Sequence, residues 1–205
     1  IGRTVAGAIM KYKQTGEVFA GPTDPYTAGN GCIMRLAPVA MFYFPDLEAI
    51  ERYSALSSRV THGAEECIDA CRLLGRILAR ALSGKGKEQV LFEDSTTFKG
   101  SSSVERLARG EWRSKRADQI RGSGYVIESL EASLWCFFKT ESFEEAILRA
   151  VNLGEDTDTT AAVCGQIAGA YYGLSSIPKK WLERLAFQEA ILDLADRLFL
   201  KSSAK

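Results

Sequence analysis

Ser142-Phe143-Glu144-Glu145-Ala146-Ile147-Leu148-Arg149-Ala150-Val151 places apolar side chains at positions 143, 146, 147, 150 and 151. That is the i, i+3, i+4, i+7, i+8 spacing of one helix face. Ser142 followed by Glu145 is a capping-box pattern at its start. The same period runs through Ala64, Cys67, Ile68, Cys71, Leu74, Leu78 and Leu82. Its polar face carries Glu65 and Glu66 early and Arg72, Arg76 and Arg80 later, as the helix dipole favours. Working outward, further helices are predicted over 4–14, 46–59, 125–139 and 178–200, the last broken midway. No alternating run of β-branched residues and no Asn-Gly hairpin between such runs is present. The fold class is therefore all-α, without a topology to be read from the spacing, and 205 residues predict a single domain over 1–205. Gly84-Lys85-Gly86-Lys87 and Ser101-Ser102-Ser103 bracket a polar stretch, 83–103, expected as a surface excursion.

Composition narrows the function classes. Lys plus Arg and Asp plus Glu number 26 each, so the basic excess of a nucleic-acid binder is missing. Hydrophobic residues at 46% argue against a disordered chain. No apolar run approaches the roughly 20 residues that cross a bilayer, and the start does not resemble a secretory signal. Cys32, Cys67, Cys71, Cys136 and Cys164 form an odd set in apolar surroundings. They read as buried free thiols of a reducing compartment, which points to the cytoplasm. A metal site from Cys67, Cys71 and His62 is the weaker reading. Arg106, Arg109, Arg113, Lys115 and Arg116 around Trp112 read as a solvated helix face with a partly buried indole.

The chemistry concentrates in Gly154-Glu155-Asp156-Thr157-Asp158-Thr159-Thr160, ahead of the small-residue helix that ends Ala170-Tyr171-Tyr172-Gly173. Three carboxylates within four residues stand at the mouth of a buried element. Two of them roughly 5–6 Å apart repel by about 3 kcal/mol at an effective dielectric near 20, so a cation, backbone donors or a shared proton must offset the charge. On a continuous helix Asp156 and Asp158 would face opposite ways; in an irregular segment before it they can converge beside Thr159. Such oxygens suit Mg²⁺, Mn²⁺ or Ca²⁺. The competing reading is an N-cap, for which one Asp and one Thr suffice.

Gly29-Asn30-Gly31, ahead of a helix, is a tight backbone able to cradle a phosphate or a sugar edge, or simply a turn. His62, in Thr61-His62-Gly63, is the single histidine, and alone at a helix start it reads first as structural. Gly122-Ser123-Gly124 has neither a preceding strand nor a third glycine, and Gly84-Lys85-Gly86-Lys87 lacks phosphate-loop spacing.

In this order, Gly29-Asn30-Gly31-Cys32-Ile33-Met34-Arg35 with Ala37-Pro38, Thr61-His62, and Gly154-Glu155-Asp156-Thr157-Asp158-Thr159 resemble the ADP-ribosylglycohydrolase family, over most of the chain. The resemblance implies an all-α bundle of that type and a metal-dependent hydrolase. Its substrate is an ADP-ribosylated protein or an ADP-ribose-containing small molecule, cut at the ribose anomeric carbon. It implies a binuclear Mg²⁺ or Mn²⁺ site with Asp156, Asp158 and Thr159 as ligands, Asp158 bridging. Asp156 and Asp158 are the implied catalytic carboxylates. Gly29, Asn30 and Gly31 are expected to line the ADP-ribose cleft, with His62 near a phosphate or the distal ribose. The family's Thr-Asp-Asp motif has no counterpart, because the chain contains no Asp-Asp pair. Position 155 is Glu where many members carry Gly. The chain, opening at Ile1, is accordingly expected to be N-terminally truncated, with an oligomer or a missing segment covering exposed core. An inactive ADP-ribose-binding or structural relative is the alternative function.

Overall fold

A computed structural model describes residues 2–203, and the statements of structure below concern those residues. Eleven α-helices follow in order: α1 Arg3–Thr15, α2 Ala37–Tyr43, α3 Leu47–Arg59, α4 Glu65–Leu82, α5 Lys87–Phe92, α6 Ser102–Arg109, α7 Val126–Phe138, α8 Phe143–Val151, α9 Thr157–Tyr172, α10 Lys179–Leu182 and α11 Gln188–Ser203. A 3-10 turn covers Asn30–Arg35. No strand forms among the described residues. Of the six segments expected from periodicity, five fold as single helices with ends shifted by a residue or two. The predicted break in 178–200 falls between α10 and α11, where Phe187 takes φ 59°. The short helices α2, α5 and α6 were not predicted, because one or two turns carry too few repeats to show a period.

α4 is the central element. It packs against α2, α3, α5, α6, α7, α9 and the 3-10 turn, so it has no fully solvated side. Ala64, Cys67, Cys71, Leu74 and Leu78 are buried as their spacing predicts, Ile68 is half-buried and Leu82 is exposed at the helix end, and Leu73 and Ile77 widen the stripe. α7, α8 and α9 form the adjoining layer. Ala146 and Ala150 of α8 meet Val163, Cys164 and Ile167 of α9, all buried, and Cys164 Sγ reaches the Ala146 carbonyl at 3.7 Å. Ser142 Oγ accepts from Glu145 N at 3.2 Å. The reciprocal bond differs from the expected capping box: Glu145 accepts from Glu141 N at 3.0 Å, one residue ahead of the cap.

Segment 83–103 departs from its expected role as a surface excursion. It forms α5 and buries Val90, Leu91, Asp94 and Phe98. Polar ties hold its middle and its far end. Asp94 pairs with Arg80 of α4, and Asp69 of α4 accepts from Ser101 N at 2.7 Å. The lysines and serines that mark the stretch as polar flank these three apolar residues and hide them from a composition reading. Trp112 is likewise fully buried instead of partly so: its Nε1 donates to the Leu107 carbonyl at 3.0 Å. Around it Arg106 and Arg109 remain exposed and pair with Glu111.

All five cysteines are free and buried, and burial pushes the Cys136 thiol up to about 12. Among the described residues no helix is long and apolar enough to cross a membrane. Large apolar side chains stand exposed on α1, at Met10 and Tyr12, and on α11, at Leu194, Phe199 and Leu200.

Candidate active site

Asp156 lies just outside α9, with non-helical backbone (φ −88°, ψ 63°). That departure frees its carboxylate to turn away from the helix axis. It makes no capping bond to a backbone N–H of α9. Oδ2 instead accepts from Asn30 Nδ2 at 2.7 Å, and Oδ1 accepts from Thr159 Oγ1 at 3.0 Å. A simple N-cap therefore does not account for Asp156. Asp158, in the first turn and exposed, accepts from Thr159 N at 2.8 Å. Partial burial raises the Asp156 pKa, but the bonds from Asn30 and Thr159 and a contact with Asp158 outweigh it. Its pKa falls below the ordinary carboxylate value, so the group is ionised at neutral pH.

Gly154 and Glu155 precede it at φ 85° and 61°, both left-handed. Glu155 holds a conformation that glycine adopts without cost, and Arg121 Nε donates to it at 3.1 Å. That backbone explains why glycine suits position 155.

Asn30 begins the 3-10 turn, and its amide also reaches Ser129 Oγ at 3.3 Å and the Ser123 carbonyl at 3.4 Å. Gln166 of α9 holds the other end of the turn. Its Oε1 accepts from Ala37 N at 2.7 Å and its Nε2 donates to the Ile33 carbonyl at 2.9 Å. A strap over residues 122–125 closes the assembly. Gly122 O accepts from Asp156 N at 2.8 Å, Gly124 O accepts from Asn30 N at 3.0 Å, and Val126 N donates to Ala28 O at 3.0 Å. A cleft of about 740 Å³ opens alongside, lined by Pro25, Tyr26, Thr27, Gly29, Glu66, Gly124 and Tyr125 among others. Tyr125 Oη donates to Glu66 Oε2 at 2.5 Å.

The structure thus brings Asp156, Asp158, Thr159, Asn30 and Gly29 together. Of the loop residues expected on the cleft wall only Gly29 lines it; Asn30, Gly31 and His62 sit behind it. His62 is buried behind the loop, and Nδ1 lies 2.9 Å from Thr61 Oγ1, which accepts from Arg35 at 2.6 Å. A Cβ on Gly31 would stand 2.9 Å from the imidazole Cε1, so the glycine makes room for the ring. Burial lowers the His62 pKa, and the neutral ring supports the loop from below. The sequence reading missed Glu66, Ser129, Gln166 and the strap. Gln166 had a signal, as a long polar side chain in the middle of an Ala/Gly helix.

The described residues contain no group of three His, Cys, Asp or Glu side chains placed to hold a metal ion. Asp156, Asp158 and Thr159 are hard oxygen donors of the type that suits Mg²⁺ or Mn²⁺. They fit as part of one ion's shell and fall short of two shells of about six oxygens each.

An all-α bundle that presents an Asp-x-Asp-Thr helix start against a Gly-Asn-Gly turn defines a class, and comparison with known proteins gives it a name. The ADP-ribosylglycohydrolase family model matches residues 1–205, and the chain belongs to that family. It is 42% identical over 199 residues to the ADP-ribosylarginine hydrolase Tri1 of Serratia proteamaculans, covering 97% of this chain and 54% of that protein. It is 30% identical over 187 residues to the ADP-ribosyl-(dinitrogen reductase) glycohydrolase of Rhodospirillum rubrum, covering 90% of this chain and 60% of that one. A solved structure titled ADP-ribosylglycohydrolase-related protein complex superposes with TM-score 0.86 at 38% identity, over 98% of this chain and 69% of that chain. The chain spans little more than half the length of these curated relatives.

Proposed function

We propose that this chain carries part of the active site of a hydrolase that removes ADP-ribose from a modified protein by cleaving the bond at the ribose anomeric carbon. The observation that carries the reading is Asp156, its two oxygens held by Asn30 and Thr159 next to a cleft. Gly29 and Gly124 expose bare backbone along that cleft, which admits a sugar edge closely. Asp156, Asp158 and Thr159 would hold Mg²⁺ or Mn²⁺, and a bound cation supplies Lewis-acid orientation of the ribose hydroxyls. An ionised Asp156 accepts protons or hydrogen bonds; donating a proton to the leaving group falls to another residue. Likeness to the Tri1 protein supports arginine as the acceptor. Five buried free thiols support a reducing cytoplasm. The shortfall of Asp156, Asp158 and Thr159 against two shells of about six oxygens each favours a second reading, in which the chain binds ADP-ribose without turnover.

The test incubates the chain and Mn²⁺ with one protein ADP-ribosylated on arginine and another on serine, and measures free ADP-ribose by chromatography. Release from the arginine-linked protein is expected. Binding of ADP-ribose without release would support the second reading, and neither binding nor release would contradict both.

A further inference from the structure

The 122–125 strap, useless as a phosphate loop, turns three successive carbonyls toward the two site residues. Gly122 O accepts from Asp156 N and Gly124 O from Asn30 N, while Ser123 O accepts from the Asn30 side chain. One short segment thereby sets the separation of two residues that lie 126 positions apart in the chain. Its own seat is a close steric contact with α9. A Cβ on Gly122 would stand 2.9 Å from Thr160 Oγ1 and 3.4 Å from the Gly154 carbonyl. Thr160 is fully buried, and its Oγ1 has no hydrogen-bond partner. Buried polar atoms without partners are rare, so the strap approaches this hydroxyl for a reason other than a hydrogen bond. A β-branched side chain on a packed helix has few rotamers to yield into.

We infer that Gly122 is a positioning residue: its bare Cα lets the strap seat on Thr160, and that seat fixes Asp156 against Asn30. Gly122 acts through the Asp156 and Asn30 amides. Thr160 serves as a surface of fixed shape. The assignment deepens the proposed function and rests on Asp156 and Asn30 being site residues.

Amide hydrogen exchange at Asn30 and Asp156 in the full 205-residue chain tests the seat without any ligand. Titration of ADP-ribose with Mn²⁺ tests its consequence. Gly122→Ala is expected to speed exchange at both amides about tenfold and to weaken ADP-ribose binding by a similar factor. Thr160→Ala removes the atom the new methyl would strike and part of the surface on which the strap sits, so the single variant should speed exchange less than Gly122→Ala does. The double variant should recover both readouts to within about threefold, and exchange at the α4 amides should stay at the parent's rate in every variant, which a general loss of stability would not allow. If Gly122→Ala alone fails to fold, recovery of folding in the double variant is the same rescue. Unchanged exchange in Gly122→Ala, or a double variant as impaired as that single one, would overturn the inference. A parent chain that binds no ADP-ribose would contradict the proposed function and leave the exchange result standing.

Discussion

Asp156→Ala is expected to lower ADP-ribose release by about two to three orders of magnitude, the usual cost of removing a charge-bearing group from a preorganised site. The reason lies in how the carboxylate is held. Asn30 and Thr159 each donate to one of its oxygens, and the strap fixes its backbone through Gly122. The variant removes a charge that three separate segments converge to place. Stability should fall far less, by about 1 kcal/mol, because the Asn30 amide keeps Ser129 and the Ser123 carbonyl as partners. Asp156→Asn separates charge from shape. It retains an acceptor for Asn30 and is expected to be as inactive as the alanine variant while remaining as stable as the parent. Steady-state assays beside urea unfolding decide the matter. Either variant keeping activity within about tenfold of the parent would remove Asp156 from the mechanism.

Asp94→Ala should be the most damaging single change to the fold. Arg80 and Asp94 are both buried and paired. Arg76 Nε lies 3.2 Å from the same Asp94 oxygen, without hydrogen-bond alignment. Truncation would leave Arg80 with the Val90 carbonyl at 3.3 Å and a distant Glu93 at 4.0 Å. Leaving a buried guanidinium without its counter-ion costs about 3–5 kcal/mol, a large share of the stability of an ordinary domain. The same loss would free segment 83–103 from α4. Chemical unfolding should show a midpoint shift of that size, and a loss below about 1 kcal/mol would mean that Asp94 is not an anchor.

The residues that spoke plainly in the sequence were those whose signal is local. The apolar spacing of α4 and α8 fixed their buried faces, and the clustered acids before α9 marked the site. The resemblance to the ADP-ribosylglycohydrolases rested on short motifs that the fold brings to one place. Pairing was not legible. Nothing in the spacing of Asn30 and Asp156 says that they touch, because their contact depends on how α9 packs against the 3-10 turn. His62 was visible as a singular residue, but its burial beneath Gly31 is a packing result. Segment 83–103 misled because Asp94 looks like a surface acid until Arg80 is seen opposite it. The left-handed backbone at Glu155 also escaped, since glutamate carries no mark of a positive φ.

The central claim is that Asp156 held by Asn30, beside the cleft lined by Gly29, Glu66, Gly124 and Tyr125, is where ADP-ribose binds. Calorimetric titration of ADP-ribose with Mn²⁺ into the parent chain and into Asn30→Ala tests it most directly. Micromolar binding by the parent, weakened at least about tenfold in the variant, is the predicted result. No binding by the parent, or equal affinity in both, would contradict the claim.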